Sequence, residues 1–239
     1  MRLHRFFFPF ELNQLKIEIR DKDLIKQIRA VLRLNIGDEF ILFDGKLNEF
    51  RVRIEKIEKE KIKVLVLEKT KNSAELLLRQ KVNLYCAILK KDNFEWAVQK
   101  AVEVGVENIF PLITKRTIKF SFKKERLEKI IKEAAEQSGR GIIPKISEPL
   151  KFSEALKLIS ENEFNILFDL RGEAFSSFWG LSPKSYFNVF VGPEGGFEEE
   201  EIKLAKELNF KIFSLGPFVL RAESAVLIAC YLAKNRFFC

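Results

Sequence analysis

The sequence predicts an α/β fold in two parts: a small β-barrel with one helix over residues 1–70, then a mostly parallel sheet with flanking helices over residues 73–239. Three observations predict it. Short apolar runs separated by turn signals fill the first seventy positions. From residue 80 the rhythm changes to apolar strand followed by amphipathic helix. Two of the later strands end in glycine-bearing turns, Gly192 to Gly196 and Leu215-Gly216-Pro217, and a parallel sheet binds its ligands at the carboxyl ends of its strands.

In the first part, strands are expected over residues 6–8, 39–43, 49–57 and 61–68, with Asp44-Gly45 turning the chain between the second and third. Ile62, Val64 and Val66 alternate with Lys61 and Lys63, the period of a half-buried strand. Leu24, Ile28, Val31 and Leu32 recur at helical spacing, which predicts a helix over 23–34. The polar stretch 69–73 marks the boundary between the parts.

The second part opens with a strand over 82–89. Asp92 then starts a helix, Glu95 closes a D-x-x-E capping box, and Phe94, Ala97, Val98 and Ala101 make the buried stripe. Gly105 ends that helix and a strand follows over 106–113. Leu127, Ile130, Ile131 and Ala134 line the next helix, which Gly139 stops. Strands over 165–170, 187–191 and 211–215 complete the sheet. The last helix, 224–234, is apolar almost all round, so it requires cover on every side, either as a central core helix or as one shared with a subunit interface.

Charge points to a polyanionic partner. The formal net charge is +8, and residues 1–72 carry 17 Lys+Arg against 12 Asp+Glu, so the excess is densest in the N-terminal third. A basic surface of this kind attracts nucleic acid first and an anionic membrane second, though it also serves plain solubility. Cys86, Cys230 and Cys239 follow no C-x-x-C spacing and His4 is the sole histidine, which argues against zinc. The chain shows no charged-then-apolar leader and no apolar run of about 18 residues, so a cytoplasmic location is expected.

Four of the eleven glycines fall in the two turns, where a missing Cβ lets backbone approach a flat ligand. The first turn lacks the Lys-Ser/Thr of a P-loop and the G-x-G-x-x-G spacing of dinucleotide binders, and no G-x-S-x-G nucleophile elbow is present. Kinase-like and nicotinamide-dependent readings are therefore disfavoured.

VGPEGGF (Val191 to Phe197) and LGPFVLRAESA (Leu215 to Ala225) resemble the two C-terminal motifs of the RsmE family of SPOUT RNA methyltransferases. Other segments agree in order: Arg2 with His4-Arg5-Phe6-Phe7, Val31-Leu32-Arg33 before Gly37-Asp38, Phe43-Asp44-Gly45, Gln99-Lys100-Ala101, and Glu133 through Arg140. The chain departs where Asp23-Leu24-Ile25-Lys26 stands in place of a frequent histidine and where Ser224 replaces threonine, a change that keeps the hydroxyl. The resemblance implies a homodimer whose knotted SPOUT domain follows a PUA-like RNA-binding β-barrel. It also implies S-adenosylmethionine as cofactor and N3 of one uridine in 16S rRNA of the small ribosomal subunit as target.

On that resemblance, Leu170, Val191, Gly192, Gly196, Leu215, Gly216, Leu220 and Ala225 are expected to line the cofactor pocket, where backbone groups of the turns read the adenine edge. Methylation at N3 requires loss of the imino proton. Arg221 is the candidate stabiliser of the charge that develops on the uracil oxygens, and Glu194 the candidate base. Their alternatives are an Arg221–Glu223 ion pair and an acidic helix-start residue. RNA contacts are expected from Arg2, Arg5, Arg29, Arg33, Gln137 and Arg140. A competing reading is a non-catalytic RNA- or ribosome-binding protein whose glycine turns are only structural.

Overall fold

The structure is a computed structural model describing residues 3–9, 15–73, 80–90, 92–118, 121–160, 163–175 and 186–235. It divides into two compact units, Met1–Leu77 with Ala135–Ile142, and Leu78–Ala134 with Ile143–Cys239.

The first unit contains β1 (Arg5–Phe7), β2 (Lys16–Ile19), α1 (Lys22–Lys26), β3 (Glu39–Phe43), β4 (Asn48–Ile57) and β5 (Ile62–Lys71), in the sheet order β1-β3-β4-β5-β2. Only the β1–β3 pair is parallel. Alternation sets the faces: Phe50, Val52 and Ile54 of β4 are buried, while Arg51, Arg53 and Glu55 point outward. Phe6 and Phe40 meet edge to face at 5.4 Å inside the curled sheet.

The helix expected over 23–34 is shorter. Asp21 caps α1 by accepting the N–H groups of Asp23 (2.9 Å) and Leu24 (3.0 Å), but Gln27–Val31 continues as a π-helical turn, closed by the Leu32 N–H on the Gln27 carbonyl at 2.9 Å. The wider turn keeps Leu24, Ile25 and Ile28 buried and carries Val31 out to solvent. Strand β2 was not anticipated: with only Ile17 and Ile19 facing inward, it is too short to show a period.

This unit also reaches further along the chain than the polar boundary suggests. β5 runs through Lys71, and residues 135–142 pack here: Glu136 accepts the Phe7 N–H (2.9 Å), Asn72 donates to the Gly139 carbonyl (2.9 Å), and Leu47 donates to the Gly141 carbonyl (3.1 Å). A Cβ on Gly141 would sit 2.7 Å from Asn72 Cβ, so glycine is required for this approach.

The second unit contains β6 (Lys81–Ala87), α2 (Asp92–Glu103), β7 (Asn108–Ile113), α3 (Lys124–Ser138, its last turn in the first unit), β8 (Lys145–Ile146), β9 (Leu150–Lys151), α4 (Phe152–Ala155), β10 (Phe164–Ala174), β11 (Tyr186–Val191), α5 (Glu199–Glu207), β12 (Lys211–Ser214) and α6 (Ala222–Asn235). Its parallel sheet runs β12-β10-β11-β6-β7-β8, with β9 also on β7. Asparagines in register across four strands lock that order: Asn108 donates to Asn83 (2.8 Å), Asn83 to Asn188 (3.0 Å), and Asn188 to Asn165 (2.8 Å). A slip by one residue would bury these amides without partners. Tyr85 stacks between Phe110 (4.5 Å) and Phe190 (4.3 Å), and burial raises its hydroxyl pKa to about 12.

One expectation is corrected here. Glu95 turns its carboxylate away from the start of α2 to Arg126, with Nη2 at 2.7 Å. Within the single chain, Ala229, Cys230 and Ala233 of α6 are buried, Ile228 and Leu232 are half-buried and Tyr231 is 55% exposed, which disfavours the central-core-helix alternative and leaves the one shared with a subunit interface. Its Lys234 is buried on Glu107 (2.7 Å) and the Gln80 carbonyl (2.7 Å). Cys86 and Cys230 are buried, and desolvation pushes both thiols up, the mark of packing rather than reactive cysteines. Cys239 lies outside the described residues.

Candidate active site

Strands β10, β11 and β12 lie side by side, and their carboxyl ends open into a cleft of about 420 Å³. The first turn forms because β11 stops at Val191 and the Gly196 N–H closes back on the Pro193 carbonyl at 2.8 Å, with Gly196 at φ +71°. A Cβ on Gly192 would lie 3.1 Å from the Phe197 ring, which is fully buried and fixes where the turn ends. The second turn follows β12: Gly216 adopts φ +149°, and the Ser214 hydroxyl donates to its carbonyl at 2.9 Å.

Leu170, Val191, Gly192, Gly196, Leu215, Leu220 and Ala225 line this one cleft. Gly216 shapes the second turn without forming part of the wall. Glu194 also lines the cleft, with Oε1 accepting the Lys90 backbone N–H at 3.0 Å. It stands five residues ahead of α5, so it is not that helix's opening carboxylate. Arg221 is exposed between lining residues Leu220 and Ala222, and its guanidinium has no hydrogen bond or ion pair among the described residues. The alternative Arg221–Glu223 pair does not form.

Sequence reasoning missed the groups that hold the first turn. Arg171 of β10 donates to Asp169 through Nε (2.7 Å) and Nη2 (2.9 Å), to the Phe197 carbonyl (2.7 Å) and to Glu199 (2.8 Å). Arg116, after β7, grips both oxygens of Glu198 (2.8 and 3.1 Å) and the Gly195 carbonyl. Two guanidinium forks therefore clamp the segment 195–199 from opposite flanks. Burial opposes ionisation of Asp169, but its hydrogen bonds from Arg171 win and lower its pKa, while Asp169 raises that of Arg171. Arg116 and Glu198 are 82 residues apart and Arg171 and Glu199 are 28 apart, so no local motif announces those pairs; Asp169 and Arg171 stand two residues apart on β10 without marking a known motif. Phe218 and Val219, each 80% exposed, stand at the mouth of the cleft.

The residues read as RNA contacts separate into two groups. Arg29, Arg33 and Gln137 are exposed. Arg5 and Arg140 are instead inside the first unit, a correction of their surface placement: the Arg5 guanidinium bridges Glu49 (2.8 Å) and the Arg140 carbonyl (3.1 Å), and Arg140 is 5% exposed. The signal for burial is the apolar company of Arg5 among Phe6, Phe7 and Phe8. Arg2 lies outside the described residues. No group of three metal-ligating side chains occurs among the described residues.

Comparison with known proteins agrees with this geometry. Residues 77–234 match an RNA methyltransferase domain and residues 25–67 an RNA methyltransferase PUA domain. The chain is 32% identical to ribosomal RNA small subunit methyltransferase E of Rickettsia conorii over 96% of its length and 94% of that protein's, and 32% identical to the Bacillus subtilis enzyme of the same name over 86% and 84%. A crystal structure of the Neisseria gonorrhoeae enzyme of that name bound to S-adenosylmethionine superposes with a TM-score of 0.90 at 27% identity, covering 99% of this chain and 98% of that one. A methyltransferase from Legionella pneumophila with bound S-adenosylmethionine gives 0.87 at 30% identity, covering 99% and 98%. The chain belongs to the RNA methyltransferase family of the ribosomal RNA small subunit methyltransferase E type, with a SPOUT-type parallel-sheet domain and a PUA-like β-barrel.

Proposed function

We propose that the protein methylates N3 of one uridine in 16S rRNA of the small ribosomal subunit, with S-adenosylmethionine as donor. The observation that carries this reading is the single cleft into which both glycine turns open, in a chain whose structural neighbours hold that cofactor. The residues present suit it. Leu170, Leu215, Leu220 and Ala225 supply apolar walls, and the glycine turns supply backbone donors and acceptors for the adenine edge and ribose.

When bound, S-adenosylmethionine supplies an electrophilic methyl carbon. Uracil N3 becomes nucleophilic only as its proton leaves. Arg221, beside the cleft and without an ion pair among the described residues, opposes the negative charge that then spreads to the uracil oxygens. Glu194, on the cleft wall, takes the proton directly or through a water, and its bond from the Lys90 N–H holds the carboxylate in place. The N3–methyl bond forms as the sulfur–methyl bond breaks, and the sulfur recovers the electron pair. Arg29, Arg33 and Gln137 are the exposed candidates for RNA contact.

The working form is a cytoplasmic homodimer. Half-buried Ile228 and Leu232 beside exposed Tyr231 leave an apolar strip on α6 that a second copy would cover.

The test is methyl transfer from labelled S-adenosylmethionine to naked rRNA, isolated small subunits and whole ribosomes. Label should enter small-subunit RNA. Cofactor and RNA binding without transfer to any of the three would favour the non-catalytic RNA-binding reading.

A further inference from the structure

Phe218 is the one exposed phenylalanine among the described residues; the others are buried or half-buried, while its ring is open to solvent and meets no other ring there. It lines the mouth of the cleft with the equally exposed Val219, and half-buried Leu215, Leu220 and Ala225 wall the space deeper in. A phenylalanine left in water forgoes the burial that drives the rest into cores. The turn that carries it is braced: Ser214 Oγ accepts the Gly216 N–H (3.3 Å) and donates to the Gly216 carbonyl (2.9 Å), and the Pro217 ring fixes its own φ. Three residues on stands Arg221, exposed and without an ion pair among the described residues.

We infer that Phe218 stacks on the face of the target uracil once that base is turned out of its strand, an inference that rests on the uridine-methylating reading of the cleft. The reaction sets the requirement. The N3 electron pair lies in the plane of the ring, so the base must enter with its edge, not its face, toward the methyl group. A grip by Arg221 on the oxygens of that edge leaves the ring free to swing about the grip. An aromatic wall against the face fixes the plane, and Phe218 and Arg221 supply face and edge from one short segment. Every base has a π face, so the contact contributes orientation and affinity rather than choice of sequence. The adenine of S-adenosylmethionine is the weaker fit, because the deeper apolar walls already serve it and Phe218 stands outside them.

The test compares full-length wild type, Phe218→Ala, Phe218→Leu and Phe218→Trp on two forms of a small-subunit rRNA fragment, one intact and one abasic at the methylated position. Phe218→Ala should bind the intact fragment roughly tenfold more weakly, the scale of one lost base stack, and the abasic fragment as wild type does. Phe218→Leu should lose nearly as much, since it keeps an apolar side chain without the flat face. Phe218→Trp should restore affinity and show tryptophan quenching, beyond that of wild type, with the intact fragment alone. Cofactor affinity by calorimetry and mass by light scattering should not move in any variant. Full affinity in Phe218→Ala, or equal losses on the two fragments, would overturn the stacking assignment while leaving the methyltransferase reading intact. Weakened S-adenosylmethionine binding in Phe218→Ala would assign the ring to the cofactor, and a change of oligomeric state would assign it to a second copy of the chain; either would overturn the stacking also. A wild type that transfers methyl to no uridine of small-subunit RNA would overturn the reading beneath it, and the stacking with it.

Discussion

Glu194 Oε1 accepts the backbone N–H of Lys90 at 3.0 Å, tying the first glycine turn to the segment that leads into α2. Glu194→Gln keeps a carbonyl oxygen for that bond, so it removes the charge without releasing the turn. Methyl transfer should fall by roughly 10²-fold with cofactor affinity nearly unchanged, and raising the pH should restore part of the rate as solvent takes the imino proton. Arg221→Ala should lose a similar factor with no recovery at high pH. Near-normal turnover of Glu194→Gln at neutral pH would reduce Glu194 to a turn-fixing residue, and loss of cofactor affinity in Arg221→Ala would move Arg221 to the cofactor side.

The two glycine turns should fail for different physical reasons. In Gly192→Val the new side chain meets the Phe197 ring, since even a Cβ comes within 3.1 Å. Gly216 has open space around it but φ +149°, so valine there is a backbone problem. Both should abolish S-adenosylmethionine binding by calorimetry. Gly216→Ala should be nearly as damaging as Gly216→Val, and a well-tolerated Gly216→Ala would show that the backbone angle is not what matters.

The guanidinium clamps predict a binding defect separable from chemistry. Arg171→Ala or Arg116→Ala should weaken cofactor binding by about tenfold, near 1.4 kcal/mol, the scale of losing hydrogen bonds to charged groups. Turnover at saturating cofactor should stay close to wild type, because neither side chain is assigned a proton or a developing charge.

Asp169 gives that clamp a pH dependence. Its folded-state pKa is lowered, so its contribution is complete above the unfolded carboxylate value of about 3.9 and disappears as pH falls through the folded value. Thermal stability should therefore lose an acid-side component below about pH 4 that Asp169→Asn lacks, while Asp169→Asn is already destabilised at pH 7. Superimposable acid limbs would remove Asp169 from the account.

The half-covered α6 helix predicts the oligomeric state. Light scattering should give a dimer for wild type. Ile228→Asp and Leu232→Asp should give monomers or insoluble protein, because an unpaired carboxylate in an apolar contact costs several kcal/mol. A monodisperse wild-type monomer would contradict the dimer.

Much of the fold was readable because its signals are local. The period at the start of β5, the glycine stop at Gly139 and the apolar run ending at Val191 each announce an element within about ten residues. What escaped depends on distant pairs. The π-helical turn after α1 follows from packing Leu24 and Ile28 into the barrel, which helical spacing alone cannot reveal. The inclusion of residues 135–142 in the first unit rests on Asn72, Glu136 and Gly141 meeting partners elsewhere in the chain. Deleting residues 1–70 would strip that segment of its contacts, so it would not yield a clean second unit. Most of the cleft's lining residues could be picked out because they fall in two contiguous segments, 191–196 and 215–225. The Arg116 clamp could not, since Arg116 and Glu198 are 82 residues apart.

Mass spectrometry of nucleosides from small-subunit RNA treated with the protein and labelled S-adenosylmethionine is the most direct test of the central claim. The account predicts one labelled product, 3-methyluridine at a single position, formed roughly 10²-fold more slowly with Arg221→Ala. Label in 5-methyluridine, in a ribose 2′-O-methyl group or in another base would contradict the proton-loss chemistry assigned to Glu194 and Arg221.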